Sequence, residues 1–241
     1  MLKEGYPKIN SRRFGMMAFL RKKQWWSFEG LDQKSKLYFL VLALKSPYAS
    51  YVSLKIIDFN TGKHISKDFF GRLSIAESES MTISSKVAGG DVKIRGYPVV
   101  VEGKETEKWE ILLDSPEVKL NIEQIPRADR PHSNRLLTKR LDYHINQYIM
   151  NDCSGTMAVE FENQQVQNID FTGYGYCEHC WGVQPRQSTA HWLHFWSDSM
   201  AGVVMNCFYD EGVPHHYTYL WLPSLEEHYL FSPAQFYFDP L

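Results

Sequence analysis

The sequence predicts an all-β protein whose antiparallel strands close into a barrel. Segments in which apolar and polar residues alternate follow one another along most of the 241-residue chain, and such alternation between turn residues indicates half-buried strands. No stretch longer than about ten residues carries a helical period. Strands this numerous must hide their edges, and closure into a barrel is the simplest way to do so.

The predicted strands begin with Lys36–Leu44 and Tyr51–Phe59, which a Ser-Pro turn separates. Further strand-like segments follow at short intervals: MTISSKV, DVKIRG, KWEILLD and EVKLNIEQI. The polar, basic segment Pro126–Arg140 contains two prolines and predicts a long surface loop. Strands resume after it as LDYHINQYIM, GTMAVEF and QQVQNIDF, and later as HWLHFW, AGVVMNCFY and HHYTYLWL.

The net charge and the distribution of apolar residues indicate which partners and which cellular compartment to expect. A formal net charge of −2 gives no general attraction to nucleic acid or to an anionic membrane surface, and no apolar run is long enough for stable membrane insertion. Paired arginines precede Phe14–Leu20 as in a twin-arginine export signal, but this stretch is short and lysines close it, so the sequence favours a cytoplasmic protein.

Four irregularly spaced cysteines are expected as reduced, buried thiols. Aromatic residues make up 15% of the chain, which suits the wall of an apolar pocket as well as a core.

The ten residues GYGYCEHCWG, which begin at Gly173, are the densest in chemically active side chains. Cys177-x-x-Cys180 followed by His191-x-x-His194 has the outline of a Cys₂His₂ zinc site. The flanking pattern is a strand, however, in which residues i and i+3 face opposite sides. We therefore expect neither a metal ion nor another cofactor, and keep a zinc-stabilised structural protein as the second alternative.

An extended motif would have two faces of different chemistry. One face would carry Tyr174, Tyr176, Glu178 and Cys180, and the other Gly173, Gly175, Cys177, His179 and Trp181. Among tyrosines, the Glu178 carboxyl loses hydration, which disfavours its charged form and makes it a candidate general acid. The alternative, weighted equally, is that Glu178 and His179 are hydrogen-bonded residues that hold the barrel wall.

The two glycines would leave free space on the second face. Gly173 and Gly175 remove two side chains beside His179 and Trp181. This leaves room for a neighbouring backbone, a large side chain or a ligand.

The motif G-x-G-Y-x-E-H-x-W-G resembles the signature strand of a lipocalin-like (calycin) superfamily. This superfamily includes the carotenoid 1,2-hydratases, the tocopherol cyclases, the survival-factor proteins of fungi and bacterial AttH-like proteins. The segment Gln24–Leu44 is similar to the E-W-W-Y-F-x-G opening strand of the group, with Gln24 and Ser27 in place of the usual acid and tyrosine. The resemblance covers roughly Trp25 to Trp196.

The resemblance implies a lipocalin-like (calycin) antiparallel β-barrel over residues 24–185, after an N-terminal extension of residues 1–23. The family normally builds two related barrels. Here only about sixty residues follow the signature strand, too few for a second eight-stranded barrel. Residues 186–241 are expected as the beginning of an incomplete second lipocalin-like domain or as closing strands.

The resemblance also implies an apolar pocket for an isoprenoid or other lipid-like small molecule. The enzymatic branches protonate a carbon–carbon double bond, and water or an internal hydroxyl traps the cation, which requires an acid, aromatic faces and exclusion of water. Glu178 is the expected acid, Asp170 a second candidate, and His179 the residue that orients the acid or a water. The expected ligand-lining residues are Trp25, Trp26, Tyr174, Tyr176, Trp181, Trp192, Trp196, Tyr217, Tyr219 and Trp221. A non-catalytic lipid carrier is the first alternative, and the sequence leaves the ligand and the oligomeric state open.

Overall fold

The structure, a computed structural model, describes residues 18–77, 80–87, 90–128, 130–137, 142–162, 165–183, 188–209 and 214–231. Within these ranges the chain is almost entirely β-strand, with short 3-10 turns at Ala18–Arg21 and Pro223–Leu225. The strands are β1 (Lys22–Asp32), β2 (Leu37–Lys45), β3 (Ser50–Asp58), β4 (His64–Phe70), β5 (Leu73–Glu77), β6 (Met81–Val87), β7 (Gly90–Val101), β8 (Lys104–Asp114), β9 (Val118–Pro126), β10 (His132–Leu137), β11 (Asp142–Val159), β12 (Gln167–Val183), β13 (Ser188–Trp196), β14 (Ala201–Tyr209), β15 (Pro214–Leu222) and β16 (Glu227–Phe231). The all-β prediction is confirmed.

The strands form two antiparallel sheets. The first has the order β4-β3-β2-β1-β12-β11-β9-β8-β7-β6-β5, with β10 attached to β11, and the second has the order β13-β14-β15-β16. The terminal strands β4 and β5 are consecutive in the chain, joined only by Gly71 and Arg72. The first sheet therefore curls until its two edges meet at this short connection, although no hydrogen-bonded pairing of β4 with β5 closes the path.

The segment Pro126–Arg140 differs from the predicted surface loop. Its middle forms β10, which pairs antiparallel with β11 from His132↔Gln147 to Leu137↔Asp142. Side chains along β10 alternate between half-buried and exposed, as on an edge strand. Polar residues occupy both sides of this strand, since Ser133 and Arg135 are exposed while His132 and Asn134 are half-buried, and the composition therefore predicted a loop.

The central strands β11 and β12 are the longest, at 18 and 17 residues. They pair with each other, with a register shift between Tyr148 and Asn151, while β12 also pairs with β1 so that Trp26 lies opposite His179 and Ser27 opposite Glu178. The motif is therefore extended, as predicted, and it occupies the middle of the first sheet.

Two hydrophobic cores lie on opposite faces of these central strands. The first core is built by the first sheet and by Phe161 in the connection between β11 and β12, and its fully buried side chains include Trp26, Phe28, Phe39, Trp109 and Phe171. The second core lies between the first sheet and the second, and it joins Tyr176 and Cys180 of β12 to Ala201, Val203 and Met205 of β14 and Tyr217, Tyr219 and Trp221 of β15. The protein's own rings and aliphatic side chains thus pack between the two sheets, and Tyr176, Tyr217, Tyr219 and Trp221 of the expected ligand-lining residues belong to this core.

The glycines of the motif allow close contact between backbones. A Cβ atom at Gly173 would lie 1.9 Å from the Leu31 carbonyl oxygen, and one at Gly175 would lie 2.2 Å from the Glu29 carbonyl oxygen and 2.4 Å from Cys153 Sγ. Of the three uses of this space that the sequence left open, a neighbouring backbone and a side chain are the ones observed.

The first sheet ends at Val183 and the second begins at Ser188. The division of the chain into an N-terminal extension (1–23), a barrel (24–185) and a C-terminal part (186–241) stays a prediction. No helix in the described ranges has the length and apolar character needed to cross a membrane.

Candidate functional site

Glu178 lies at the centre of the second-core face of β12 and is only 2% exposed. Trp25 Nε1 donates a hydrogen bond of 2.9 Å to its Oε1 atom. The Tyr176 hydroxyl donates one of 2.6 Å to Oε2, and Gln147 Nε2 a longer one of 3.3 Å to the same atom. Donors on β1, β11 and β12 therefore fix the carboxyl group from three sides.

This hydrogen-bond network continues into the second sheet. The Tyr217 hydroxyl on β15 donates a 3.0 Å hydrogen bond to Gln147 Oε1. Gln147 Nε2 in turn donates one of 2.7 Å to the Tyr176 hydroxyl. A chain of buried polar groups thus links the second sheet to Glu178, and such networks hold their members in a unique geometry.

Burial raises the pKa of Glu178 above its ordinary value. The hydrogen bonds from Tyr176, Trp25 and Gln147 act in the opposite direction, and the negative charge of Glu29 adds to the increase. Loss of hydration is the dominant cause, as predicted for a general acid in apolar surroundings.

Glu29, which was not among the residues predicted from the sequence, is a second buried carboxyl on the same face. It is 4% exposed, accepts a 2.5 Å hydrogen bond from the Tyr38 hydroxyl and lies 2.9 Å from His194 Nε2. Since Glu29 lies opposite Tyr176 and Ser27 lies opposite Glu178, Glu29 and Glu178 occupy diagonally neighbouring strand positions, whose Cα atoms are about 7–8 Å apart. The sequence signal for Glu29 was the strand alternation in WWSFEG, which places Glu29 on the same face as Trp25. Its partner His194 on β13 could be identified only from the fold.

A row of rings on β13 covers this face. The His194 ring stacks on Tyr176 at a centroid distance of 4.7 Å and on Trp196 at 5.0 Å. Trp192 tilts over Tyr176 at 5.9 Å and is 41% exposed. Beside the row, Tyr174 donates a hydrogen bond to Asp198. Trp192 and His194 thus cover Tyr176, which donates a hydrogen bond to Glu178, and Trp196 extends the row.

His179 lies on the other face of β12, in the first core. Its ring is sandwiched between Trp26 and Trp181, each at a centroid distance of 4.7 Å, and Gln24 Nε2 lies 3.0 Å from its Nε2 atom. Burial lowers the pKa of His179 well below its ordinary value, so the imidazole is neutral. The structure therefore places this ring away from Glu178, where it cannot orient the acid, and Trp26 and Trp181 share its face.

The structure does not bring Asp170 to the candidate site. Asp170 is exposed on β12 and lies eight residues from Glu178, about 26 Å along an extended strand. The remaining predicted aromatic residues are closer: Tyr217, Tyr219 and Trp221 on β15 are buried in the second core.

The cysteines of the motif diverge. Cys177 belongs to the first core and Cys180 to the second, so their sulfur atoms point to opposite sides of β12. The side chain of His191 lies outside the described residues, while His194 contacts Glu29. The zinc alternative therefore loses its cysteine pair, and no group of three potential metal ligands occurs among the described residues.

His132 extends the second core towards β10. Its ring stacks on Tyr219 at 4.0 Å and tilts against Tyr217 at 5.4 Å. Burial lowers the pKa of His132 to about 4, and the nearby His228 contributes to the decrease. The neutral ring therefore packs between the sheets, and its protonation would place a charge there.

We expect acid to weaken the packing of the second sheet through His132. Because the folded-state pKa lies below the unfolded value of 6.5, the contribution is complete above pH 6.5 and is lost as the pH falls towards 4. The loss amounts to at most about 3 kcal/mol of unfolding free energy. Urea unfolding at pH 7 and pH 4.5 measures it, and a His132→Phe variant, which keeps the ring, should show a smaller decrease than the parent protein.

A matched control is His64→Gln, since His64 is exposed at the start of β4. This variant should lose as much stability between pH 7 and pH 4.5 as the parent protein. An equal loss in His132→Phe would show that His132 does not titrate in this way.

Comparison with known proteins supports the fold. No family model and no curated protein sequence matches the chain. Among solved structures, an AttH protein from Nitrosomonas europaea is 12% identical with a TM-score of 0.59, over 96% of this chain and 74% of that protein. Kievitone hydratase from Nectria haematococca is 10% identical with a TM-score of 0.56, over 95% and 69%. CghA, determined with Sch210972, is 8% identical with a TM-score of 0.61, over 84% of this chain and 58% of CghA.

These structures share a lipocalin-like (calycin) fold, and the chain has the same fold. The fold class predicted from the two sequence motifs is confirmed. The chain spans 58% of CghA, which is less than two thirds of that protein.

Proposed function

We propose that this protein binds an apolar, isoprenoid or lipid-like molecule on the second-core face and that Glu178 protonates a carbon–carbon double bond of it. The observation that carries the proposal is the burial of the Glu178 carboxyl beside Tyr176, on which the β13 rings pack, with its pKa raised. Apolar surfaces with a few convergent polar groups are typical of small-molecule sites, and a displaced pKa in such a place is typical of a catalytic acid.

The reaction would begin with neutral Glu178. Its proton passes to one carbon of the double bond, whose π electrons form the new C–H bond, and a cation remains on the other carbon. Rings such as Tyr176 and Trp192 present their negative faces to this cation. Water or a hydroxyl of the substrate then bonds to the cationic carbon, and the proton it loses returns to the Glu178 carboxylate. The products are a hydrated or cyclised molecule and a regenerated acid.

The hydrogen bonds around Glu178 suit both protonation states. The Tyr176 hydroxyl donates to Oε2 when Glu178 is charged. Since a phenolic hydroxyl both donates and accepts hydrogen bonds, it can accept one when Glu178 carries a proton. Trp25 Nε1 holds the other oxygen in both states.

Access to Glu178 requires movement of the β13 rings. Trp192 is 41% exposed and covers Tyr176, so its displacement would open a path from solvent. The cover would also exclude stray water while the cation exists, as acid-initiated chemistry requires.

The comparisons support this proposal at the level of fold, since one protein that shares the fold is a hydratase. The second candidate is a carrier that holds an apolar molecule without reaction. It is favoured by the three donors that converge on Glu178, because a buried carboxyl with only a structural role would have the same partners.

Native mass spectrometry of protein purified from cells tests the proposal. We expect a stoichiometric apolar ligand and, after incubation with that ligand, a product whose mass is increased by one water or is unchanged by cyclisation. A ligand that returns chemically unaltered would favour the carrier. Protein without a ligand, which also fails to bind isoprenoid and fatty alcohol probes, would contradict both candidates.

A further inference from the structure

A pocket of about 370 Å³ lies at one end of the first sheet, away from Glu178. Three adjacent strands end there together: β2 ends at Lys45, β1 begins at Lys22 and β12 ends at Val183. Strand pairing aligns these ends, with Gln24 opposite both Lys45 and Trp181. The pocket is lined by Lys22, Lys23, Gln24, Lys45, Ser46, Pro47, Trp181 and Gly182.

The wall of this pocket combines an apolar surface with a polar floor. The Pro47 ring and the edge of Trp181 supply the apolar part, since both faces of the Trp181 indole are covered by His179 and His144. The floor holds Gln24, whose amide nitrogen lies 3.0 Å from His179 Nε2. A volume of this size lies at the lower end of the range of about 300–1,000 Å³ for small-molecule sites.

The mouth of the pocket is strongly positive, although the chain as a whole carries a net charge of −2. Lys22, Lys23 and Lys45 are all exposed, and none lies within ion-pair distance of a carboxylate in the described part of the chain. Lysines usually alternate with acidic residues on protein surfaces. Three ammonium groups around one concave opening, without a carboxylate partner among the residues that the structure describes, concentrate anions there.

We propose that this pocket binds a small amphipathic anion. Its carboxylate or phosphate head pairs with Lys22 and Lys45, and its short apolar body packs against Pro47 and Trp181. In β1, Lys22 lies two residues before Gln24 and therefore points to the same face. In β2, Lys45 lies two residues after Ala43 and likewise shares its face. Both lysines therefore project to the side of the sheet on which the pocket opens. The site lies on the opposite face of β12 from Glu178 and does not depend on the function proposed for that residue.

Calorimetric titration of the full chain in low-salt buffer tests this inference with matched probes. Octanoate and octan-1-ol share an apolar body and differ in charge, while acetate carries only the head. We expect octanoate to bind at least about tenfold more tightly than octan-1-ol or acetate, because only octanoate uses both the lysines and the apolar wall.

Paired substitutions locate the binding. Lys22→Gln with Lys45→Gln should weaken octanoate binding at least about tenfold and leave octan-1-ol binding unchanged. The matched control, Lys34→Gln with Lys55→Gln, replaces two exposed lysines outside the pocket and should bind octanoate as the parent protein does. Glu178→Gln should also bind it normally, which separates this site from the Glu178 site.

Three outcomes would overturn the inference. Equal affinity for octanoate and octan-1-ol would remove the role of charge. An equal loss in the Lys34 and Lys55 control would show only a general effect of net charge. Absence of octanoate binding at millimolar concentration in the parent protein would show that the pocket holds no such anion.

Discussion

Replacing Glu178 with glutamine should slow turnover of the natural ligand by at least about 100-fold while leaving the fold intact. Glutamine has nearly the shape of glutamate, and its amide oxygen can accept the hydrogen bond from Trp25 Nε1 that now goes to Glu178. The amide has no acidic proton to deliver to a double bond. The variant should therefore bind ligand and unfold at nearly the same urea concentration as the parent protein.

Deuterium labelling makes this measurement specific for proton transfer to carbon. In D₂O the exchangeable proton of Glu178 is replaced by deuterium, so each turnover places one deuterium on the former alkene carbon. Mass spectrometry of the product counts it. Because burial raises the pKa of Glu178, the rate should be highest at low pH and should fall as the pH rises through that raised value.

The control for this experiment is Glu160→Gln, since Glu160 is exposed directly after β11. It removes the same functional group at a position without hydrogen-bonded rings and should leave the labelling rate unchanged. Undiminished deuterium incorporation in Glu178→Gln would exclude Glu178 as the acid, whereas loss of ligand binding in this variant would assign it a structural role.

The local features of the candidate site were predictable because strand geometry is local. Period two alone placed Glu178 and His179 on opposite faces, and the structure puts them in separate cores. The same rule separated Cys177 from Cys180. Neither conclusion needed to know which strands are neighbours.

The contacts across strands were not predictable from the sequence. Glu29 meets His194 only because β13 crosses the face shared by β1 and β12, 165 residues along the chain from Glu29 by subtraction of the two numbers. Gln147 gained its role in the same way, from Tyr217 on β15. No periodicity reports such pairings, since they are set by the packing of one sheet on another.

The edge strand β10 shows a different limit. Its sequence, HSNRLL, is polar and lies between turn residues, so its own composition favours a loop. Pairing with β11 stabilises it as a strand, and its first residue then brings the His132 ring onto Tyr219. The sequence around His132 gives no indication that this residue is buried. His132 reaches the second core because the pairing of β10 with β11 overrides the preference of this segment for a loop.

The other large effect is expected from Gly173→Ala, which should lower the free energy of unfolding by about 3 kcal/mol or more. The added Cβ would lie 1.9 Å from the Leu31 carbonyl oxygen and 3.2 Å from the Asp32 Cα atom. Both atoms belong to the backbone and cannot turn aside as a side chain would. The end of β1 would have to separate from β12, where Asp32 now lies opposite Gly173.

Gly62→Ala is the matched control, because it adds the same methyl group at a position with nothing within 4 Å. Its φ of +72° makes alanine unfavourable by only about 1 kcal/mol. Urea unfolding followed by tryptophan fluorescence should therefore show a much larger decrease for Gly173→Ala, or no folded protein at all. If the two variants lost equal stability, the strands would have room to accommodate a side chain, and the contact between the β1 and β12 backbones would not be what requires glycine in the motif.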